Sequence, residues 1–483
     1  MLIFIFVIII IVEVLLCIWQ NYRYLKFLYK YKNITGMKKE TDLDVNSKIF
    51  IIIPCLREQD VILETIKHFL SRISCMKNIH LIIVTTQKEN YEKEINKSLI
   101  PQLVNDLAEN TEFIVLLEKY NKILSGSELK QAIQSSINLN RSEISDIVIE
   151  IYNNSKTTYE TIQNEINENN EFKGITLINY PDIEGIMAHQ LNYVLRILRK
   201  YFNGYDENNS YFGIYNADSL PNGDTVPELI QSIVYNNYPV IIQQYSALIS
   251  NIKYLSNIMK GFAVYQTNFE ITNGFLNSLF PSIFLRNHVV GHGMFIRLDF
   301  LKSISGFNTS FWCEDIFLSF YLRSRNISVI PLMNIEKSET PIYLKNLIKQ
   351  NATWFKSAFQ APKMFLEILR TDKKPTVAGV LFMLHQIRGT LSWLFCPFFV
   401  LYSFIYPIIE HNVWVLFFSF AIYFFTSVNK YFNTLLIVEL LDKTKTKNKL
   451  ALSYFASLSY IISNLGPIYS IINRKATKHK TVR

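Results

Sequence analysis

Short, unbroken apolar runs alternate with amphipathic stretches through the middle of the chain, and long apolar runs lie at both ends. The first short run, residues 49–54 (IFIIIP), is closed by Pro54 and predicts a buried parallel strand. CLREQD then leads into an amphipathic helix reaching about Leu70, and a second strand follows at 80–86 (HLIIVTT). Strand, helix, strand opens an α/β sheet whose ligands bind beyond the carboxyl ends of the strands. Arg57, Glu58, Thr85 and Thr86 fall there. Further strands are predicted at 175–179, 211–215, 240–246 and 328–333, with a helix from about Met187 to Phe202. Residues 88–172 read as an insertion, in which strands at 113–117 and 147–151 stand among polar stretches rich in Asn, Ser, Glu and Lys.

The ends predict membrane segments. Residues 2–19 are apolar apart from Glu13, long enough for one transmembrane helix. No basic residue precedes the run and no small-residue cleavage site follows it, which argues against a signal peptide. Arg23, Lys26, Lys30, Lys32, Lys38 and Lys39 come next, so the positive-inside rule places the chain that follows in the cytoplasm. Residues 343–370 mix Trp354 and several Phe with Lys and Arg, as suits a helix lying in the membrane interface. Residues 391–409 and 413–428 can span, and 450–465 is a shorter run ending at Gly466-Pro467. The linker 443–449 and the tail 474–483 are both basic. Either the last run is re-entrant or interfacial, or the spans around 429–441 are divided differently.

The resulting layout is a transmembrane helix (1–20), a basic juxtamembrane linker (21–46) and a cytoplasmic α/β catalytic domain (47–341) with an insertion at about 88–172. Interfacial helices (342–388), C-terminal transmembrane or re-entrant helices (389–472) and a basic cytoplasmic tail (473–483) complete it. Composition agrees: of 483 residues 49% are hydrophobic and only 18% charged, too apolar for a purely soluble enzyme and too polar for an all-helical transporter. The net charge of +9 is modest and clusters beside apolar runs, which points to a lipid bilayer and not to nucleic acid. Five scattered cysteines show neither metal spacing nor a disulfide framework, consistent with a reducing compartment.

Two polar-acidic stretches carry candidate chemistry. Gly291-His292-Gly293 is followed by Gly306-Phe307 and by Trp312-Cys313-Glu314-Asp315, which opens an amphipathic helix. A carboxylate there either enters a cleft or only stabilises the helix start, where the helix dipole favours negative charge. Asn216-Ala217-Asp218-Ser219 ends the strand at 211–215. It reads either as a site for a metal-bound diphosphate or as an Asx-turn.

In order and spacing these pieces resemble a membrane-embedded family 2 glycosyltransferase of the cellulose, hyaluronan and poly-N-acetylglucosamine synthase group, from about Lys48 to Trp354. The resemblance implies a GT-A nucleotide-sugar domain flanked by transmembrane and interfacial helices. Residues 51–58 (IIIPCLRE) resemble the nucleotide-contacting loop, and 187–192 (MAHQLN) the helix carrying the family's asparagine. Pro54, Arg57, Glu58, Asn192, Asn216 and Asp218 are thereby implied to bind the donor, with Asp218 as ligand to Mn²⁺ or Mg²⁺. Residues 291–297 (GHGMFIR) resemble the acceptor-side loop, and 350–354 (QNATW) the interfacial motif that caps the acceptor. His292, Gly293, Gln350 and Trp354 are implied acceptor residues, Trp354 being otherwise a membrane anchor. Glu314 and Asp315 match the family's acidic pair, with Asp315 as general base; 478–481 (KHKT) resembles its basic terminus.

Four departures stand out: Thr85-Thr86 and Asn216 replace acidic residues, Ile186-Met187 lie where a lysine is common, and Thr353 replaces an arginine. The expected activity is inverting, metal-dependent transfer of a sugar, expected from a UDP donor, to a polysaccharide or glycolipid at the plasma membrane. The alternatives are single-sugar transfer to a lipid-phosphate carrier and a catalytically degenerate nucleotide-sugar- or partner-binding subunit.

Overall fold

The computed structural model describes Ile11, Leu15 and residues 18–31, 46–74, 76–281, 288–372 and 376–473. Most of the predicted N-terminal span, residues 32–45 of the basic linker, Cys17, Cys75 and the basic tail lie outside these residues.

The first strand, β1 (Ile49–Pro54), shows why the sheet lies where it does. Its side chains alternate between faces, yet both faces are apolar. Phe50 and Ile52 join one core with Leu191, Val194 and Leu198 of the helix Met187–Tyr201. Ile49, Ile51 and Ile53 join another with Ile62, Ile66 and Phe69 of the helix Ile62–Ile73. A strand buried on both sides is a continuous apolar run, as in parallel sheets covered by helices.

The remaining strands are β2 (Ile79–Thr86), β3 (Ile175–Tyr180), β4 (Tyr211–Ile214), β5 (Ile241–Gln243), β6 (Ser246–Ala247), β7 (Met294–Arg297), β8 (Ile330–Pro331) and β9 (Glu336–Lys337). The main sheet has the order β3-β2-β1-β4-β7-β5-β8, and β6 and β9 form a separate pair. Within the main sheet β7 alone runs antiparallel to its neighbours, β4 and β5. The predicted strand 240–246 is thus two short strands in different sheets, and the predicted strand 328–333 narrows to two residues.

Residues 87–168 correct two expectations. The apolar runs at 113–117 and 147–151 are helical, within Phe113–Tyr120 and Arg141–Asn154. In the second helix Ile144, Val148, Ile151 and Tyr152 are buried, one stripe at the helical period and not the alternation of a strand. Capping boxes at Ser125/Glu128, Asn140/Glu143 and Thr157/Glu160 fix where three helices begin. The helices between residues 100 and 154 bury a core of their own, including Leu103, Leu116, Tyr120, Leu129 and Val148.

Among the described residues, three helical stretches near the C-terminus are long and apolar enough to cross a membrane: Val377–Ile409, Val413–Asp442 and Lys449–Ile472. The first two outlast the predicted spans because their helical pattern continues past the apolar stretch. The third breaks at 462–464 and resumes as Leu465–Ile472. It packs against the helix Leu344–Phe359, where a Cβ on Gly466 would stand 2.5 Å from the Asn351 Cβ. Residues 18–31 are helical and dock on the same layer, with Arg23 donating to the Thr272 carbonyl (2.9 Å) and Tyr31 to that of Leu440 (2.8 Å).

Candidate active site

Beyond the carboxyl end of β1, Cys55 N–H continues the ladder to the Val84 carbonyl (2.7 Å), and the chain then turns sharply at Arg57, whose φ is 58°. Acidic groups from the helix Gln87–Ile95 hold this turn. Arg57 N–H donates to Glu89 (3.0 Å), its guanidinium pairs with Glu92, and Glu58 N–H donates to Thr158 Oγ1 (2.8 Å). Glu89 is buried and also accepts from Thr158 N–H (2.8 Å). The two threonines that stand in place of acids serve the fold: Thr85 donates to Asn179 Oδ1 (3.2 Å), and Thr86 caps the helix Gln87–Ile95 by accepting from Lys88 N–H (3.2 Å).

β4 leads into the turn that carries Asp218. Ser219 N–H donates to the Asn216 carbonyl (3.1 Å), and Asn216 N–H donates to Ser219 Oγ (3.2 Å). Thr65 Oγ1 donates to the Ala217 carbonyl (2.6 Å), and Leu220 N–H to Glu336 Oε1 (3.1 Å). Backbone and neighbouring groups therefore fix the turn. Burial pushes the Glu336 carboxyl up to about 7, and its other oxygen has no hydrogen-bond partner among the described residues. His292 Nε2 lies 4.0 Å from that carboxyl and 2.6 Å from Ser246 Oγ. Burial lowers His292 to about 4, so the imidazole is neutral at pH 7 and the contact is not an ion pair.

Residues 291–293 join the two acidic stretches. Gly293 N–H donates to the Ile214 carbonyl at the end of β4 (2.7 Å), and its carbonyl accepts from Gln244 N–H (2.7 Å). Gly293 has φ 63°, and a Cβ on it would meet the Gln244 carbonyl at 2.6 Å. A Cβ on Gly291 would instead lie at ordinary contact, 3.5 Å from Asp315 Oδ2 and 3.7 Å from Glu314 Oε1. Left-handed strain costs about 1–3 kcal/mol for a residue with a side chain, before any overlap. Gly293→Ala is therefore expected to lower the thermal midpoint of detergent-solubilised protein, while Gly291→Ala leaves it close to wild type; equal midpoints for both would refute this.

Glu314 and Asp315 begin the helix Glu314–Ser324. Glu314 is buried, whereas Asp315 is half-buried and accepts from Ile316 N–H (2.7 Å). The approach to this helix is clamped at both ends. Asn192 brackets Phe307, donating to its carbonyl and accepting from its N–H (both 2.8 Å), and Trp312 N–H donates to Gln360 Oε1 (3.3 Å). Asn192 also lines a cleft of ≈ 450 Å³ with Tyr180, His189, Arg196 and Lys302. On the helix Leu344–Phe359, Gln350 Oε1 is buried without a partner among the described residues, and Trp354 is 38% exposed. Thr353 donates to the Lys349 carbonyl of its own helix (3.1 Å).

The structure thus gathers Asn216, Asp218, His292, Gly293, Glu314 and Asp315 along one connected path. It ties Arg57 and Glu58 to the helices after β2. Glu89, Glu92 and Glu336 went unnoticed in the sequence because nothing near them forms a motif. Asp218 offers a single hard oxygen donor, and no group of three His, Cys, Asp or Glu able to hold an ion exists among the described residues. One carboxylate is compatible only with an ion such as Mg²⁺, which binds through one or two carboxylates and takes its other ligands from phosphates and water.

No protein-family model matches the sequence, and no curated protein matches it. Among solved structures the chain is similar to a mannosyltransferase, PcManGT from Pyrobaculum calidifontis, in complex with GDP-Man and Mn²⁺. The identity is 12% over 96% of this chain and 99% of that one, with a TM-score of 0.43. It is also similar to S. aureus TarS 1–349, with 11% identity over 89% and 91% of the two chains and a TM-score of 0.37. At that level of likeness neither protein's chemistry transfers to this chain.

Proposed function

We propose that the chain is an inverting membrane glycosyltransferase of the family 2 type, which moves a sugar from a nucleoside diphosphate donor to a glycan or glycolipid acceptor. One observation carries this reading. The three residues 291–293 bond to the end of β4, from which the Asp218 turn springs, and also abut Asp315. That arrangement supports a reading in which a metal-diphosphate site and a base lie on two sides of one short loop.

In this reading Asp218, with Asn216 beside it, would hold Mn²⁺ or Mg²⁺, and the bound ion would supply charge neutralisation for the leaving diphosphate. Asp315 takes the proton from the acceptor hydroxyl as that oxygen attacks the anomeric carbon. Glu314, buried behind it, orients the helix start. Arg57, Glu58 and Pro54 shape the donor side, and Gln350 and Trp354 face the acceptor. The apolar C-terminal helices seat the enzyme in a bilayer, with the catalytic domain on the cytoplasmic side of the plasma membrane. A second reading, a degenerate binding subunit, is favoured by the ion pair that occupies Arg57 and by Thr85 bonding within the sheet.

Detergent-purified protein, screened against nucleotide sugars with Mn²⁺ or Mg²⁺, is expected to release nucleoside diphosphate from one donor in a metal-dependent way. Silence on every donor, with no nucleotide binding, would leave the degenerate reading standing.

A further inference from the structure

The helix Asn257–Phe269 does not end regularly but widens into a π-helical turn, Glu270–Phe275. Such turns admit one extra residue and are frequent at functional sites. Its neighbours hold this one in place. Thr272 Oγ1 donates to the Asn268 carbonyl (2.6 Å), Arg23 donates to the Thr272 carbonyl (2.9 Å), and Gly274 lies flat against the Tyr245 ring.

The residue just before the turn packs on the segment that leads to the candidate base. Phe269 meets the His288 ring edge-on at 5.5 Å, and Tyr245 donates to the His288 carbonyl (2.7 Å). On the far side of that segment, Val289 N–H donates to Ser319 Oγ (3.0 Å), which itself donates to the Asp315 carbonyl (2.8 Å). Gly291 then abuts the Asp315 carboxylate. Glu270 heads the turn; the residue is half-buried, and its Oε2 has no hydrogen-bond partner among the described residues. A buried carboxyl oxygen left without a partner is unfavourable unless a ligand supplies one.

We propose that Glu270 binds the acceptor sugar at a hydroxyl next to the one that Asp315 deprotonates. The assignment rests on the glycosyltransferase reading above. Burial, with the Asp315 charge adding to it, pushes the Glu270 carboxyl up to about 8, so it is protonated at neutral pH and donates a hydrogen bond. Two nearby carboxyls whose environments differ divide the work, one as acid and one as base. A sugar carrying vicinal hydroxyls presents one oxygen to each.

The test compares Glu270→Gln with Glu270→Ala in two assays, donor hydrolysis to water and transfer to an oligosaccharide or glycolipid acceptor. Glu270→Ala is expected to raise the acceptor KM about tenfold, the equivalent of one good hydrogen bond, with donor hydrolysis kept. Glu270→Gln retains a neutral donor at that position and is expected to transfer within a few-fold of wild type. Infrared spectra at neutral pH should show a protonated carboxyl band in the wild type that is missing in Glu270→Gln. Intact hydrolysis with unchanged transfer in Glu270→Ala, or an equal loss in both variants, overturns the Glu270 assignment alone. A wild type that hydrolyses no donor overturns the transferase reading and this one with it.

Discussion

Asp315→Asn is expected to reduce sugar transfer about 10²- to 10⁴-fold, the usual contribution of a positioned general base, while donor binding stays near wild type. The amide keeps the size of the carboxylate, and its oxygen still accepts from Ile316 N–H, so the helix start is preserved. What is lost is the ability to take a proton. Glu314 cannot substitute, because it is buried within the fold whereas Asp315 is partly open. Product formation measured under saturating donor, beside donor affinity by calorimetry, separates the two effects. Transfer within about fivefold of wild type would remove Asp315 from the role of base, since that is well below what a base contributes.

Asp218→Ala acts earlier, on the leaving group. Charge stabilisation by a bound divalent ion is worth several kcal/mol, and each 1.36 kcal/mol is tenfold in rate. Hydrolysis and transfer should therefore both fall by about 10³-fold, and added Mn²⁺ or Mg²⁺ should no longer stimulate either. The fold is expected to survive, because Thr65, Ser219 and Glu336 hold the turn through its backbone. Paramagnetic resonance of Mn²⁺ titrated into each protein gives a readout independent of turnover. Full metal stimulation in the variant would place the ion elsewhere.

The contrast between these two residues and Glu270 shows what a linear reading reaches. Asp218 and Asp315 stand out in the sequence as candidates because each follows a recognisable local change, a strand ending in a polar turn or a glycine-bracketed turn before an amphipathic helix. Glu270 had no such signal. It is one acid in a long mixed helical stretch, and only tertiary packing, with Phe269 set against His288, carries its turn onto the segment that leads to Asp315. Glu89 is similar: the acidic group near the end of β2 sits on the next helix, which an N-capping threonine positions.

The sequence by itself determined the α/β sheet and the apolar C-terminal helices, because unbroken apolar runs bounded by Pro and polar turns have few other places to go. It could not decide 113–117 and 147–151, since apolar runs of that length fit a strand or a helix, and only burial as one stripe within a separate core selects the helix. Nor could it decide the partners of buried carboxyls. Whether Glu336 braces a turn or Glu270 Oε2 lacks a hydrogen-bond partner among the described residues depends on which distant backbone and charge come within hydrogen-bond reach, and tertiary packing alone sets that distance.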